Sequence, residues 1–137
     1  MAKETKQKLA RIALPEIDMQ GRVLPQAIDF EEAVLGAMML EQNAAVSVID
    51  MLREEMFYKE SHQKIYKAIT QVFHASDPVD LLSVANQLRK NGDLEAIGGA
   101  YYLSSLTNRI VSSANIEYHA RIVSEKYIQR KLISVST

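Results

Sequence analysis

The 137-residue chain has no cysteine, only three prolines and five glycines, and no surplus of either charge. Without cysteine it can form no disulfide, thiolate nucleophile or cysteine metal site, a composition that fits a reducing compartment. Sixteen basic and seventeen acidic side chains leave a formal charge of -1, so no global field draws the chain to nucleic acid. No apolar run approaches the roughly 20 residues that span a bilayer, and Met1 to Arg11 lacks the apolar stretch of a signal peptide. The chain is therefore expected to be soluble and cytoplasmic, with no membrane partner. A hydrophobic content of 47% is enough for one packed core.

Residues 1–24 scatter Lys3, Lys6, Lys8 and Arg11 among polar groups, with Pro15, Gly21 and Pro25 following and no sustained apolar period. This composition reads as a flexible basic arm. From Asp29 onward the pattern turns helical. Phe30, Ala33, Val34, Ala37 and Met38 recur at helical spacing, with Asp29 and Glu32 placed as an Asp variant of a capping box. Leu35, Met39 and Leu40 extend the apolar surface around this helix, which marks it as central, and Gly36 suggests a close helix crossing.

A second helix is expected after Asn43, burying Ala45, Val48, Ile49 and Leu52, with Phe57 and Tyr58 anchoring the connection that follows. Ile65, Ala68, Ile69, Val72 and Phe73 define the clearest helix, which cannot continue through Pro78. Asp80 is placed to cap the next, whose face is Leu81, Val84, Ala85 and Leu88, and Asn91 and Gly92 supply its stop. A short helix carrying Leu94 and Ile97 leads to the Gly98 and Gly99 turn, after which Tyr102, Leu103 and Leu106 form another apolar face. No segment alternates long enough to argue for a sheet. The pattern predicts an all-α fold: a compact head of about six helices over 25–112, then a longer C-terminal helix from 113 to 137.

That last helix carries two apolar faces. Capped by Ser113 or Asn115, it aligns Ile116, Ala120, Val123 and Tyr127 on one stripe, while Tyr118 and Ile122 point to the opposite side and Leu132 and Ile133 add apolar surface later. Two faces require two partners, of which the chain's own core is one and a further helix or second subunit the other. These six residues, from Ile116 to Tyr127, are the candidate association surface.

Catalytic signatures are scarce. A phosphate-binding loop needs a Gly-rich turn with a following Lys and hydroxyl, and no GK[ST] triplet occurs; Gly98 and Gly99 read as a structural turn. His62, His74 and His119 lack metal-ligand spacing, and His62 lies on the core face beside Ile65 and Ile69, where it caps the core edge or bonds to backbone. Glu31 with Glu32, and Glu54 with Glu55, read as solvated or helix-start charges, and Met38, Met39 and Met56 as core filling. No catalytic, cofactor or metal site is assigned. A helix-turn-helix reading of Leu81 to Arg109 fails on charge: the second helix presents Ser104, Ser105, Thr107 and Asn108 with Arg109, and Arg89 and Lys90 add little.

An ordered set of short motifs carries more information than any one of them. Glu32 to Gly36, then Phe57, Tyr58 and His62, then Val79 and Asp80, the run from Asp93 through Gly98 and Gly99 to Leu103, Ala114 to Ile116 with Tyr118 and Ala120, and finally Glu125, Lys126, Arg130, Leu132 and Ile133 together resemble the N-terminal domain of the bacterial replicative DNA helicase family, the DnaB type. The resemblance covers about Val23 to Ile133. It implies a helical head followed by a helical hairpin, of which residues 113–137 would be the start of the first arm. It also implies self-association into dimers and a hexamer collar, docking of primase, contact with a helicase loader, and DNA engaged by the full hexamer. ATP and magnesium would then belong to a RecA-like motor outside this sequence, and the chain itself would be non-catalytic. A stand-alone helical adaptor or weakly DNA-binding regulator is the competing class.

Overall fold

The computed structural model describes residues 24–109 and 112–136. Apart from Leu24, the segment read as a basic arm lies outside the described residues. Within them are six α-helices and no strand: α1 Ile28–Leu40, α2 Gln42–Val48, α3 Glu60–His74, α4 Leu81–Asn91, α5 Gly99–Asn108 and α6 Ile116–Ser136, with a 3-10 turn at Glu54–Met56.

Helix α1 packs against every other helix, as its wide apolar circumference requires. Val34, Leu35 and Met38 are fully enclosed, and Gly36, Ala37 and Met39 are also buried. Helix α3 contributes Ile65, Tyr66, Ala68, Ile69 and Val72 to the same core, while Lys67 faces solvent. Val84, Ala85 and Leu88 of α4 and Leu103 and Leu106 of α5 close it. Each large side chain so enclosed contributes roughly 1.5–3 kcal/mol. That exceeds the ~1 kcal/mol of a typical helix cap, so apolar burial fixes the arrangement and caps adjust the ends.

The cap of α4 forms as its sequence predicts. The Asp80 carboxylate accepts from the Ser83 amide at 2.8 Å, and the Ser83 hydroxyl accepts from the Asp80 amide at 3.0 Å. Gly92 ends the helix in the left-handed region at φ 76°. Helix α3 stops at His74, ahead of Pro78, with Ser76 in the left-handed region at φ 61°.

Four local expectations are corrected. Helix α1 begins at Ile28 with Ala27 at the cap position, so Asp29 lies inside the first turn and caps nothing; the Gln26 side chain takes the Ile28 amide at 3.1 Å instead. Helix α2 begins at Gln42, earlier than expected, and ends at Val48, leaving Leu52 buried from the connection beyond it. Leu94 and Ile97 sit in consecutive turns in place of a short helix. Overlapping turn bonds, Ile97 to Asp93, Gly98 to Glu95 and Gly99 to Leu94, hold this stretch, while Ile97 itself is buried. Of the two caps expected for α6, Asn115 takes the position before Ile116, its carbonyl accepting from the His119 amide at 3.0 Å, while the Ser113 hydroxyl donates to the Glu41 carboxylate instead.

Candidate functional site

Helix α6 is built in two halves. In the first, Ile116, Ala120 and Val123 are buried, so this stripe faces the chain's own core against α1 and α2. Tyr127 continues it at partial burial, its hydroxyl 3.4 Å from Glu55 Oε1. Tyr118 stands 54% exposed, its ring edge-on to Phe30 at 6.4 Å, with His119 also against Phe30 at 5.2 Å. Ile122 is partly buried and, with Lys126, borders a cleft against Gln26 to Phe30 at the start of α1. The two faces expected of this helix are therefore separate: one is internal, and Tyr118 with Ile122 lies at the border of the other.

Beyond Val123 no described side chain of α6 is buried. Ile128, Leu132 and Val135, spaced by four and three, are 51%, 64% and 84% exposed and form an apolar stripe on one side of this half. Sequence reasoning found Leu132 and missed Ile128 and Val135, although the i, i+4, i+7 spacing was there to find.

The interior holds a polar constellation that sequence reasoning also missed. Glu31 and His62 are 1% and 0% exposed. His62 Nδ1 lies 2.8 Å from Glu31 Oε1, and Nε2 lies 2.6 Å from the Tyr102 hydroxyl. The Tyr58 amide donates to Glu31 Oε2 at 2.7 Å and the Lys59 amide to Oε1 at 3.4 Å. The Lys59 ammonium donates to the Tyr102 oxygen at 3.4 Å and sits 4.8 Å from the centre of its ring. The His62 ring thus bridges the Glu31 carboxylate and the Tyr102 phenol through its two nitrogens, and Lys59 donates to the same phenol oxygen. Burial holds the Tyr102 phenol above its ordinary pKa, with Glu32 reinforcing the shift and Arg109 opposing it.

This carboxylate, imidazole and hydroxyl sequence has the order of a catalytic triad but not its situation. Solvent reaches neither Glu31 nor His62, so no substrate atom can approach the base. Of the two readings of Glu31, a solvated charge is overturned, while its place in the first turn of α1 holds. It sits on the inward face of α1, and two backbone amides and an imidazole replace its water. His62 is buried as expected but bonds to side chains rather than backbone. Glu32 is not a solvated charge either: its side chain is only 14% exposed and pairs with the exposed Arg109 at 3.1 Å.

Gly98 and Gly99 aim Tyr102 at this network. Both adopt positive φ, 108° and 75°, and Gly98 occupies the cap position of α5. A Cβ on Gly98 would stand 3.0 Å from the Tyr102 Cβ. The pair is a joint that sets the helix bearing Tyr102. Among the described residues, no group of three or more His, Asp and Glu side chains is placed to hold a metal.

A model of the DnaB-like helicase N-terminal domain matches residues 23–125. The chain belongs to this family. It is 49% identical over 117 residues to the replicative DNA helicase DnaB of Rhodothermus marinus, covering 85% of this chain and 12% of that protein. It is 45% identical over 116 residues to the corresponding helicase of Geobacillus stearothermophilus, covering 85% of this chain and 26% of that one. The crystal structure of the N-terminal domain of DnaB helicase from Mycobacterium tuberculosis superposes with a TM-score of 0.79 at 38% identity, covering 82% of each chain. The chain thus spans about a quarter or less of these two curated relatives.

His62 is tied into the interior by hydrogen bonds to Glu31 and Tyr102, while His119 lies against Phe30 and His74 against Phe73. No helix among the described residues is long and apolar enough to cross a membrane. Exposed large apolar side chains lie on the distal half of α6, at Ile128, Leu132 and Val135, and on the head at Leu40, Val46, Leu82 and Tyr101.

Proposed function

We propose that this chain is the assembly and docking head of a replicative DNA helicase and performs no catalysis of its own. The observation that supports this reading is the division of α6: its first half is consumed by the head, while Ile128, Leu132 and Val135 of the second present an apolar stripe with no covering side chain among the described residues. Such a stripe suits a second helix, here the other arm of a hairpin in the longer protein, with Tyr118 and Ile122 widening the contact toward the head. Paired hairpins then give dimers, and three dimers give the collar of a hexamer.

In this reading the mechanism is geometric. The collar holds primase, and at an earlier stage a helicase loader, beside DNA threaded through the assembled hexamer in the cytoplasm. ATP and magnesium act in the motor domain, and none of the residues described here takes part in that chemistry. Light scattering on the full-length protein across a wide concentration range tests the proposal. Ile128→Lys with Leu132→Lys is expected to shift the hexamer toward smaller species and to weaken capture of the cognate primase's C-terminal domain. An unchanged mass and unchanged capture would overturn it.

A further inference from the structure

Helix α6 changes its means of attachment halfway along. Up to Val123 it is held by enclosed apolar side chains. Past that point polar contacts join the hold, and two of them come from one residue. Arg130 Nη1 donates to the Pro25 carbonyl at 2.9 Å, and Nη2 donates to the Met56 carbonyl at 2.9 Å. The same guanidinium lies 5.3 Å from the Tyr58 ring centre and 5.9 Å from that of Tyr127. One side chain therefore joins the lead-in to α1, the end of the 3-10 turn and the distal half of α6. A planar fork with several donors can hold two carbonyls at once and stack on aromatic faces, which an ammonium cannot do in one geometry.

We propose that Arg130 is a latch that fixes the direction in which α6 leaves the head. The distal half runs on for about 18 Å, so a tilt of about 15° at Val123 carries its end by roughly 5 Å. That tilt would re-aim the stripe of Ile128, Leu132 and Val135 without opening the core. With the fork engaged, head and helix move as one body. With it released, the distal half pivots while Ile116, Ala120 and Val123 stay packed. The latch concerns this chain alone and does not depend on the assembly reading.

The absence of cysteine makes the test direct. Spin labels at Leu82→Cys and Val135→Cys, positions 80% and 84% exposed, report the distance from α4 to the end of α6. With Arg130 present the distance distribution is expected to be narrow. Arg130→Ala should broaden it severalfold, Arg130→Lys should give an intermediate width, and Lys131→Ala should leave it unchanged. Amide exchange should then quicken about tenfold over residues 126–135 in Arg130→Ala and stay constant over 117–123. A broad distribution with Arg130 intact, equal widths with and without it, or loss of the cooperative fold in Arg130→Ala would each overturn the latch, the last by making Arg130 a plain structural residue.

Discussion

His62 Nδ1 and Glu31 Oε1 meet at 2.8 Å in the dry interior, joining residues that lie 31 positions apart in the chain. The pair ties α1 to the first turn of α3, and Tyr102 extends the tie to α5. A buried ionisable pair adds little over apolar packing when intact, but removing one partner strands the other. Glu31→Ala strands an imidazole nitrogen and the amides of Tyr58 and Lys59. Each donor left unsatisfied is expected to cost about 1–3 kcal/mol, a large part in sum of an ordinary domain's stability of roughly 5–15 kcal/mol. Urea unfolding followed by circular dichroism reads this as a lower midpoint with an unchanged slope. A double-mutant cycle with His62→Ala should show coupling of at least about 1 kcal/mol, and additive losses would mean that the pair is not acting as a unit.

Tyr66 predicts an alkaline limit to stability. Its hydroxyl donates to the carbonyls of Leu52 at 2.9 Å and Ile49 at 3.2 Å, and burial, with Asp50 nearby, pushes its pKa up to about 12. The folded state thus favours the protonated phenol. Its contribution is whole below pH ~10, the value of an unfolded tyrosine, and is lost as pH rises from there toward about 12. The loss from this group is roughly 2–3 kcal/mol. Tyr66→Phe should lower stability at neutral pH by about 1–2 kcal/mol and flatten the fall above pH ~10, leaving the part due to Tyr102. An unflattened profile would assign the alkaline fall elsewhere.

Two aspartates test how far capping could be read from sequence. Asp80 and Asp29 both precede an apolar helical run, yet only Asp80 accepts a first-turn amide. Asp80→Ala is expected to cost about 1 kcal/mol and Asp29→Ala only a few tenths, the remainder left by the helix dipole. Thermal melts of the two variants side by side decide it, and equal shifts would contradict the observed start of α1.

The contrast shows where periodicity informs and where it stops. Ile65, Ala68, Ile69 and Val72 could be placed in the core from spacing alone, because an amphipathic helix has one way to bury its stripe. Glu31 could not. A carboxylate in the first turn of a helix looks like a dipole partner, and what buries it is the convergence of Tyr58, Lys59, His62 and Tyr102 from other segments. Leu94 and Ile97 had helical spacing over too few residues, where turn geometry decides. The two faces of α6 were legible as a pattern. That Ile116, Ala120 and Val123 are the inward set follows only from the packed neighbours.

The two members of the glycine pair differ in what a side chain would meet. Gly99, at φ 75°, has open space where a Cβ would stand, so Gly99→Ala carries only the left-handed backbone penalty of about 1–2 kcal/mol. Gly98, at φ 108°, meets the same objection and also places a Cβ 3.0 Å from that of Tyr102. That atom is fixed to the backbone of α5 and moves only if the helix does. Moving it draws the phenol away from His62, so Gly98→Ala should cost more than Gly99→Ala by roughly 1–2 kcal/mol, the value of the hydrogen bond disturbed. In a Tyr102→Phe background that excess should largely disappear, because no phenol remains to be misaligned. Equal costs for the two glycines in both backgrounds would show that the joint does not aim Tyr102, and that the buried network holds its geometry without it.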